Sequence, residues 1–146
     1  MFFLMSFRFD KTKPEDFGLM NTEHENLFIN PKDNSRWEKR YLIDFGWGLE
    51  IAFCKLPLLS FDKLLELSFY TKLKEKTVDY YGAIGVLLND YPHEFLNFTE
   101  KLLVNKEDSL EKHKDFYHIV RMQMRYEDKT IISKWQMLFE QTKELI

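Results

Sequence analysis

From Ser60 onward, apolar residues recur at spacings of three and four, which gathers them on one side of an α-helix. Ser60 can cap a helix whose stripe is Phe61, Leu64, Leu65, Phe69 and Leu73. Thr77 can cap the next, where Val78, Tyr81, Gly82, Gly85 and Leu88 form one face and Tyr80, Ile84 and Leu87 another. Apolar positions on two faces predict a helix covered on more than one side. Gly82 and Gly85 each cost about 1 kcal/mol relative to Ala inside a helix, so close approach of a neighbouring backbone is the expected reason for them. Asn89-Asp90-Tyr91-Pro92 breaks the pattern, and Pro92 suits the first position of a new helix because the N–H it lacks has no partner there. That helix carries Phe95, Phe98, Leu102 and Leu103. Asp108-Ser109-Leu110-Glu111 fits a capping box and opens a helix with Leu110, Tyr117, Val120 and Met124. A last helix places Ile131, Ile132, Trp135, Leu138, Phe139, Thr142 and Leu145 on one stripe, and Trp135 at its centre is expected to be buried.

Two patterns compete over residues 36–56. Tyr41, Ile43, Phe45, Trp47, Leu49, Ile51 and Phe53 alternate as in a strand or hairpin, while Leu42, Phe45, Leu49, Ala52, Phe53 and Leu56 trace a helical face. Ser35-Arg36-Trp37-Glu38 reads as a capping box and Pro57 as a stop, and these two signals favour helix despite Gly46 and Gly48. In residues 1–34 the alternation of Phe3, Met5, Phe7 and Phe9 resembles a short strand, and Asn30-Pro31-Lys32-Asp33-Asn34 reads as a turn.

The fold expected from these patterns is mainly α: one domain over residues 1–146, with antiparallel helical hairpins stacked as a short HEAT-like solenoid or an irregular bundle. The first 35 residues or so are expected to be extended or partly β. An offset of 35 residues relates Leu56-Pro57 to Tyr91-Pro92 (92 − 57), aligns Phe61 with Leu96 and Leu67 with Leu102, and falls within the periods of about 33–47 residues used by helical solenoids.

Composition narrows the class of function. With 45% hydrophobic and 31% charged residues, five Gly and four Pro in 146, the chain has the makeup of a folded domain and not of a linker or collagen-like repeat. Net charge is −3 with both signs spread along the sequence; no basic half stands ready to neutralise phosphates, so nucleic acid is not the expected partner. Apolar runs fall short of the roughly 20 residues that span a bilayer, and the opening Met1–Asp10 lacks the basic segment and cleavage site of a secretory signal. A cytoplasmic protein without membrane contact is expected. Cys54 is the lone cysteine and lies in the apolar string Ile51-Ala52-Phe53-Cys54, where an inert buried thiol is the ordinary outcome.

Candidate chemistry is sparse. Gly82-Ala83-Ile84-Gly85 lacks the third glycine and the Lys-Ser/Thr ending of a phosphate loop. Glu111, Asp115 and His118 share one helical face at i, i+4 and i+7, and such a set can hold a divalent ion or act as acid and base. Carboxylates at that spacing more often line a solvated helix. His24 and His93 sit beside glutamates as surface residues would. Neither a metal, a cofactor nor catalysis is expected. Asp79-Tyr80-Tyr81, Asp90-Tyr91 and Glu94 combine tyrosine with acidic groups, a composition favoured at protein-binding hot spots.

The strings Tyr41-Leu42-Ile43-Asp44-Phe45-Gly46-Trp47-Gly48-Leu49-Glu50-Ile51-Ala52 and Leu56-Pro57-Leu58-Leu59, with Tyr81-Gly82-Ala83-Ile84 and Tyr91-Pro92, resemble small helical, HEAT-like immunity proteins encoded beside bacterial polymorphic toxins. The likeness spans residues 36–104. It implies a non-enzymatic inhibitor that sequesters a toxin by stoichiometric binding. The resemblance carries over no contact residue; by their acidic and aromatic composition Asp79, Tyr80, Asp90, Tyr91 and Glu94 are the expected ones, with acidic groups facing a basic toxin surface. A small metal-dependent hydrolase using Glu111, Asp115 and His118 is the alternative, and a non-inhibitory adaptor domain is another.

Overall fold

A computed structural model of the chain describes residues 1–5, 13–44, 49–69, 78–105, 133–138 and 140, with the backbone alone at 43–44, 49–50 and 102–105. Its centre is a five-stranded antiparallel sheet, which replaces the helical solenoid or bundle expected from sequence. The strands are β1 (Phe3–Leu4), β2 (Met20–Asn21), β3 (Leu27–Ile29), β4 (Arg36–Asp44) and β5 (Leu49–Leu56), in spatial order β1-β5-β4-β3-β2. Helices α1 (Phe61–Ser68), α2 (Val78–Asp90) and α3 (Pro92–Asn105) follow in the chain, and a further helical stretch covers 133–138.

The segment read as a helix from Arg36 to Leu56 is the β4–β5 hairpin, paired from Arg36↔Leu56 to Asp44↔Leu49 with a register shift between Tyr41 and Ile43. Its helix-side face is covered at Leu42, Ala52 and Cys54 and its outer face at Trp37 and Phe53, so buried apolar residues fall on both sides, and that is the origin of the misleading helical spacing. Leu42, Ala52 and Cys54 point into the core beneath the helices, whereas Trp37 and Phe53 point to the opposite side and join Leu19 and Phe28. A 3-10 turn at Pro14–Phe17 straps this second side, its Phe17 ring meeting Phe53 edge-on at 6.1 Å. A hairpin apolar on both faces matches a three-four template as readily as a two-residue one. The aromatic and β-branched residues at Trp37, Tyr41, Ile43, Ile51 and Phe53 are better accommodated on a pleated surface.

Ser35 also does different work from that expected. Its amide and hydroxyl both donate to Asp33 Oδ1, at 2.9 and 2.6 Å, and its hydroxyl accepts the Trp37 indole N–H at 2.8 Å. Ser35 closes a tight turn into β4 instead of capping a helix. Pro57 follows β5 through a cis bond, whereas Pro92 is the first residue of α3. The 35-residue offset thus superposes a strand exit on a helix start, and no repeat results.

The helix starts agree better with the sequence. Ser60 Oγ accepts the Lys63 amide at 3.3 Å and caps α1, which buries Leu64 and Leu65. Helix α2 is the centre of the helical layer: Tyr80, Gly82, Ala83, Ile84, Gly85, Val86 and Leu87 are all buried, as apolar positions around most of its circumference require. The close neighbour at Gly82 is a side chain, not a backbone. The Phe3 ring of β1 lies where a Cβ at residue 82 would have to go. Rings also join the helices to each other, Phe61 to Tyr91 at 5.3 Å, Phe69 to Phe98 at 5.4 Å and Phe95 to Trp135 at 5.6 Å. In the 133–138 stretch Trp135 and Leu138 are buried and Met137 faces outward, the amphipathic division read from its spacing. The other positions of that stripe, the Thr77 cap and the Asp108–Glu111 box lie outside the described residues.

Candidate binding surfaces

The five residues marked in the sequence separate into three situations. Asp79, in the first turn of α2, accepts the amides of Phe2 and Phe3 on Oδ1 at 2.8 and 2.9 Å, with the N-terminal ammonium 4.0 Å from Oδ2. Its carboxylate fastens β1 to the helical layer. Tyr80 is only 2% exposed and packs edge-on against Tyr81, so its ring belongs to the core and is no surface anchor. Asp90, Tyr91 and Glu94 do come together, at the corner between α2 and α3. There Tyr91 is half-buried against Phe61 and Glu94 is exposed in the first turn of α3, where negative charge offsets the helix dipole.

Asp90 is engaged inside the molecule. Arg40 of β4 grips it with both terminal nitrogens, Nη1 to Oδ2 at 2.9 Å and Nη2 to Oδ1 at 2.5 Å, and Glu38 Oε1 stands 3.9 Å from Arg40 Nε. The fork matches the geometry of a carboxylate, so the pair fixes the end of α2 on the sheet. The hydrogen bond that Arg40 donates to Asp90 raises the Arg40 pKa, with burial opposing it. Cys54, directly across the ladder from Glu38, has no accessible surface. Burial pushes its thiol up to about 12, with Arg40 pulling the other way and Glu38 and Asp90 adding to the rise. A thiol so disfavoured as thiolate is a poor nucleophile, in keeping with the inert role read from its apolar neighbours.

A second surface lies on the far side of the same hairpin. The register pairs Trp37 with Lys55, Lys39 with Phe53 and Tyr41 with Ile51, so cationic and apolar side chains alternate in a checkerboard. Lys55 Nζ stands over the Trp37 ring, 6.0 Å from its centroid, and Lys39 Nζ over Tyr41 at 5.7 Å, both within range of a cation–π contact. The strap at Pro14–Phe17 seals the Trp37 and Phe53 half, leaving these rings 4% and 0% exposed, but Tyr41 is 57% exposed and Ile51 half-buried. Sequence reasoning passed over Lys39 and Lys55. Their signal was the alternation Trp37-x-Lys39-x-Tyr41, informative only once the segment is known to be a strand.

Among the described residues no three His, Cys, Asp or Glu side chains gather as a metal site, and no helix is long and apolar enough to cross a membrane. Glu111, Asp115 and His118 lie outside the described residues. In comparisons with known proteins, no family model, no curated protein and no solved structure matches the chain.

Proposed function

We propose that the chain is a protein-binding module that neutralises a cognate toxin by forming a stoichiometric complex, acting in the cytoplasm as immunity proteins do. One observation carries the reading: Tyr41, 57% exposed, is held on a rigid two-stranded ladder beside half-buried Ile51. Tyrosines presented in this way anchor protein interfaces, because a large ring is buried on binding with little loss of side-chain freedom. The basic toxin surface expected from sequence rests on Asp79, Asp90 and Glu94 as its complement. Two of these carboxylates are spent on internal partners, which favours a contact on the outer face of β4 and β5 over one at the acidic groups.

The test is co-expression with the protein encoded beside this chain, followed by light scattering of the purified mixture. Protection of the cells and a complex of fixed stoichiometry are expected, with Tyr41→Ala lowering affinity at least tenfold. Absence of a complex, or protection at strongly substoichiometric amounts with turnover of a small molecule, would overturn the reading and promote the hydrolase alternative.

A further inference from the structure

The outer face of the β4–β5 hairpin carries an inference that rests on the proposed binding function and names the chemistry of the partner. On this face β4 presents Trp37, Lys39 and Tyr41, and β5 presents Ile51, Phe53 and Lys55. Every charged side chain in that set is basic. Lys55 has Asp33 near enough to depress the carboxyl of that residue, though Ser35 does so more strongly. Lys39 has an aromatic ring beneath it and no carboxylate partner among the described residues. The opposite face of the same strands holds Glu38 and Arg40, and there the charges are matched within the molecule. We propose that Lys39, Tyr41, Ile51 and Lys55 form a docking surface for an extended acidic segment of the partner protein, its apolar residues on Tyr41 and Ile51 and its carboxylates at the two ammonium groups.

The geometry of the hairpin favours an extended segment. Beyond Asn26, whose carbonyl accepts the Lys39 amide at 2.8 Å, β3 pairs no further with β4. Tyr41 lies two residues past that bond, and strand periodicity turns its peptide group to the same side. An acidic segment laid along this line can add to the ladder while its alternate side chains meet the checkerboard. The same residues argue for protein over single-stranded nucleic acid. Stacking along a nucleic acid needs several open rings, but Trp37 and Phe53 are sealed under the strap, leaving Tyr41 as the one open ring of this face among the described residues. Two lysines on a chain of net charge −3 also offer little to neutralise phosphates.

The probe is a blocked ten-residue peptide of alternating Asp and Val, titrated into isotope-labelled protein while backbone amide shifts are followed. Peptides of alternating Lys and Val, and a ten-nucleotide oligo-dT, serve as comparisons. The acidic peptide is expected to move amides at 37–41 and 51–55, and Lys39→Glu to weaken it at least tenfold. Lys39→Arg should retain binding, and Glu23→Lys, on the exposed turn between β2 and β3, should leave it within twofold. Unchanged thermal melting of each variant confirms that folding is intact. Shifts centred elsewhere, tighter binding of oligo-dT or the basic peptide, or a Lys39→Glu affinity within twofold of wild type would overturn the inference. The toxin complex is then assembled with Lys39→Glu. If wild type forms it and the variant forms it equally well, the surface assignment fails alone; if wild type forms none, the binding function itself fails.

Discussion

The two faces of the β4–β5 hairpin use charge in opposite ways. On the helix side Arg40 closes on Asp90, with Glu38 beside it and Cys54 beneath, so the charged groups complete one another and fix α2 to the sheet. On the outer side Lys39 and Lys55 rest over aromatic rings, and Tyr41 stands largely in solvent. Consecutive residues of one strand thus serve stability at Arg40 and, in the proposed complex, recognition at Tyr41, because successive side chains of a strand leave on opposite faces. Mutations one position apart should therefore affect different measurements.

The largest effect is expected deep on the helix side. Trp135 has no exposed surface and meets Phe95 at 5.6 Å, so Trp135→Ala should cost about 3–5 kcal/mol in urea unfolding through lost burial and the cavity left behind. A loss under about 1 kcal/mol, the range of surface substitutions, would break the division between the faces. Arg40→Ala should come next. It strands Asp90, but both side chains keep some solvent, 19% and 31% exposed, which reduces the loss to about 1–2 kcal/mol. A double-mutant cycle with Asp90→Asn should assign most of it to the pair.

Cys54 sharpens the comparison by pH. Its folded pKa is raised from 9.0 to about 12, so above pH 9 the unfolded chain has released a proton that the folded chain retains. The stability linked to the thiol is therefore complete below about pH 9 and is lost as pH rises toward 12. Urea unfolding at pH 8 and pH 10 should show a steeper loss for wild type than for Cys54→Ala, and iodoacetamide should alkylate the thiol only as fast as the chain unfolds. Equal slopes, or rapid alkylation of folded protein, would contradict this burial. The smallest stability effect belongs to the outer face. Tyr41→Ala should cost under ~1 kcal/mol, the scale of a cross-strand pair, while the partner affinity falls tenfold.

What the sequence disclosed follows the same division. Helix starts were legible at Ser60 and Pro92 because capping is local chemistry, and the burial of Trp135 and Leu138 because apolar residues three apart share one side of a helix. The hairpin was not, because helices cover one of its faces and the Pro14–Phe17 strap covers Trp37 and Phe53 on the other, so apolar residues on both sides overlay the strand alternation with an equally good helical spacing. Asp90 and Tyr91 stood out by composition, yet the arginine that claims Asp90 lies 50 positions away. Asp79 was legible as an acidic group at a helix start, but its bonds reach amides 76 and 77 positions away, which residue spacing cannot reveal.

The Phe3 ring seated against Gly82 has a consequence for synthesis. β1 is translated before every element it packs against: its ladder partners Phe53 and Cys54 come about fifty residues later, and the helix that receives its ring later still. At elongation rates of about 5–20 residues per second, the 79 residues from Phe3 to Gly82 take roughly 4–16 s, during which Phe2, Phe3, Leu4 and Met5 remain unburied on the nascent chain. The strand made first is among the last to settle, and cellular holdases that grip short apolar segments have those seconds in which to bind it.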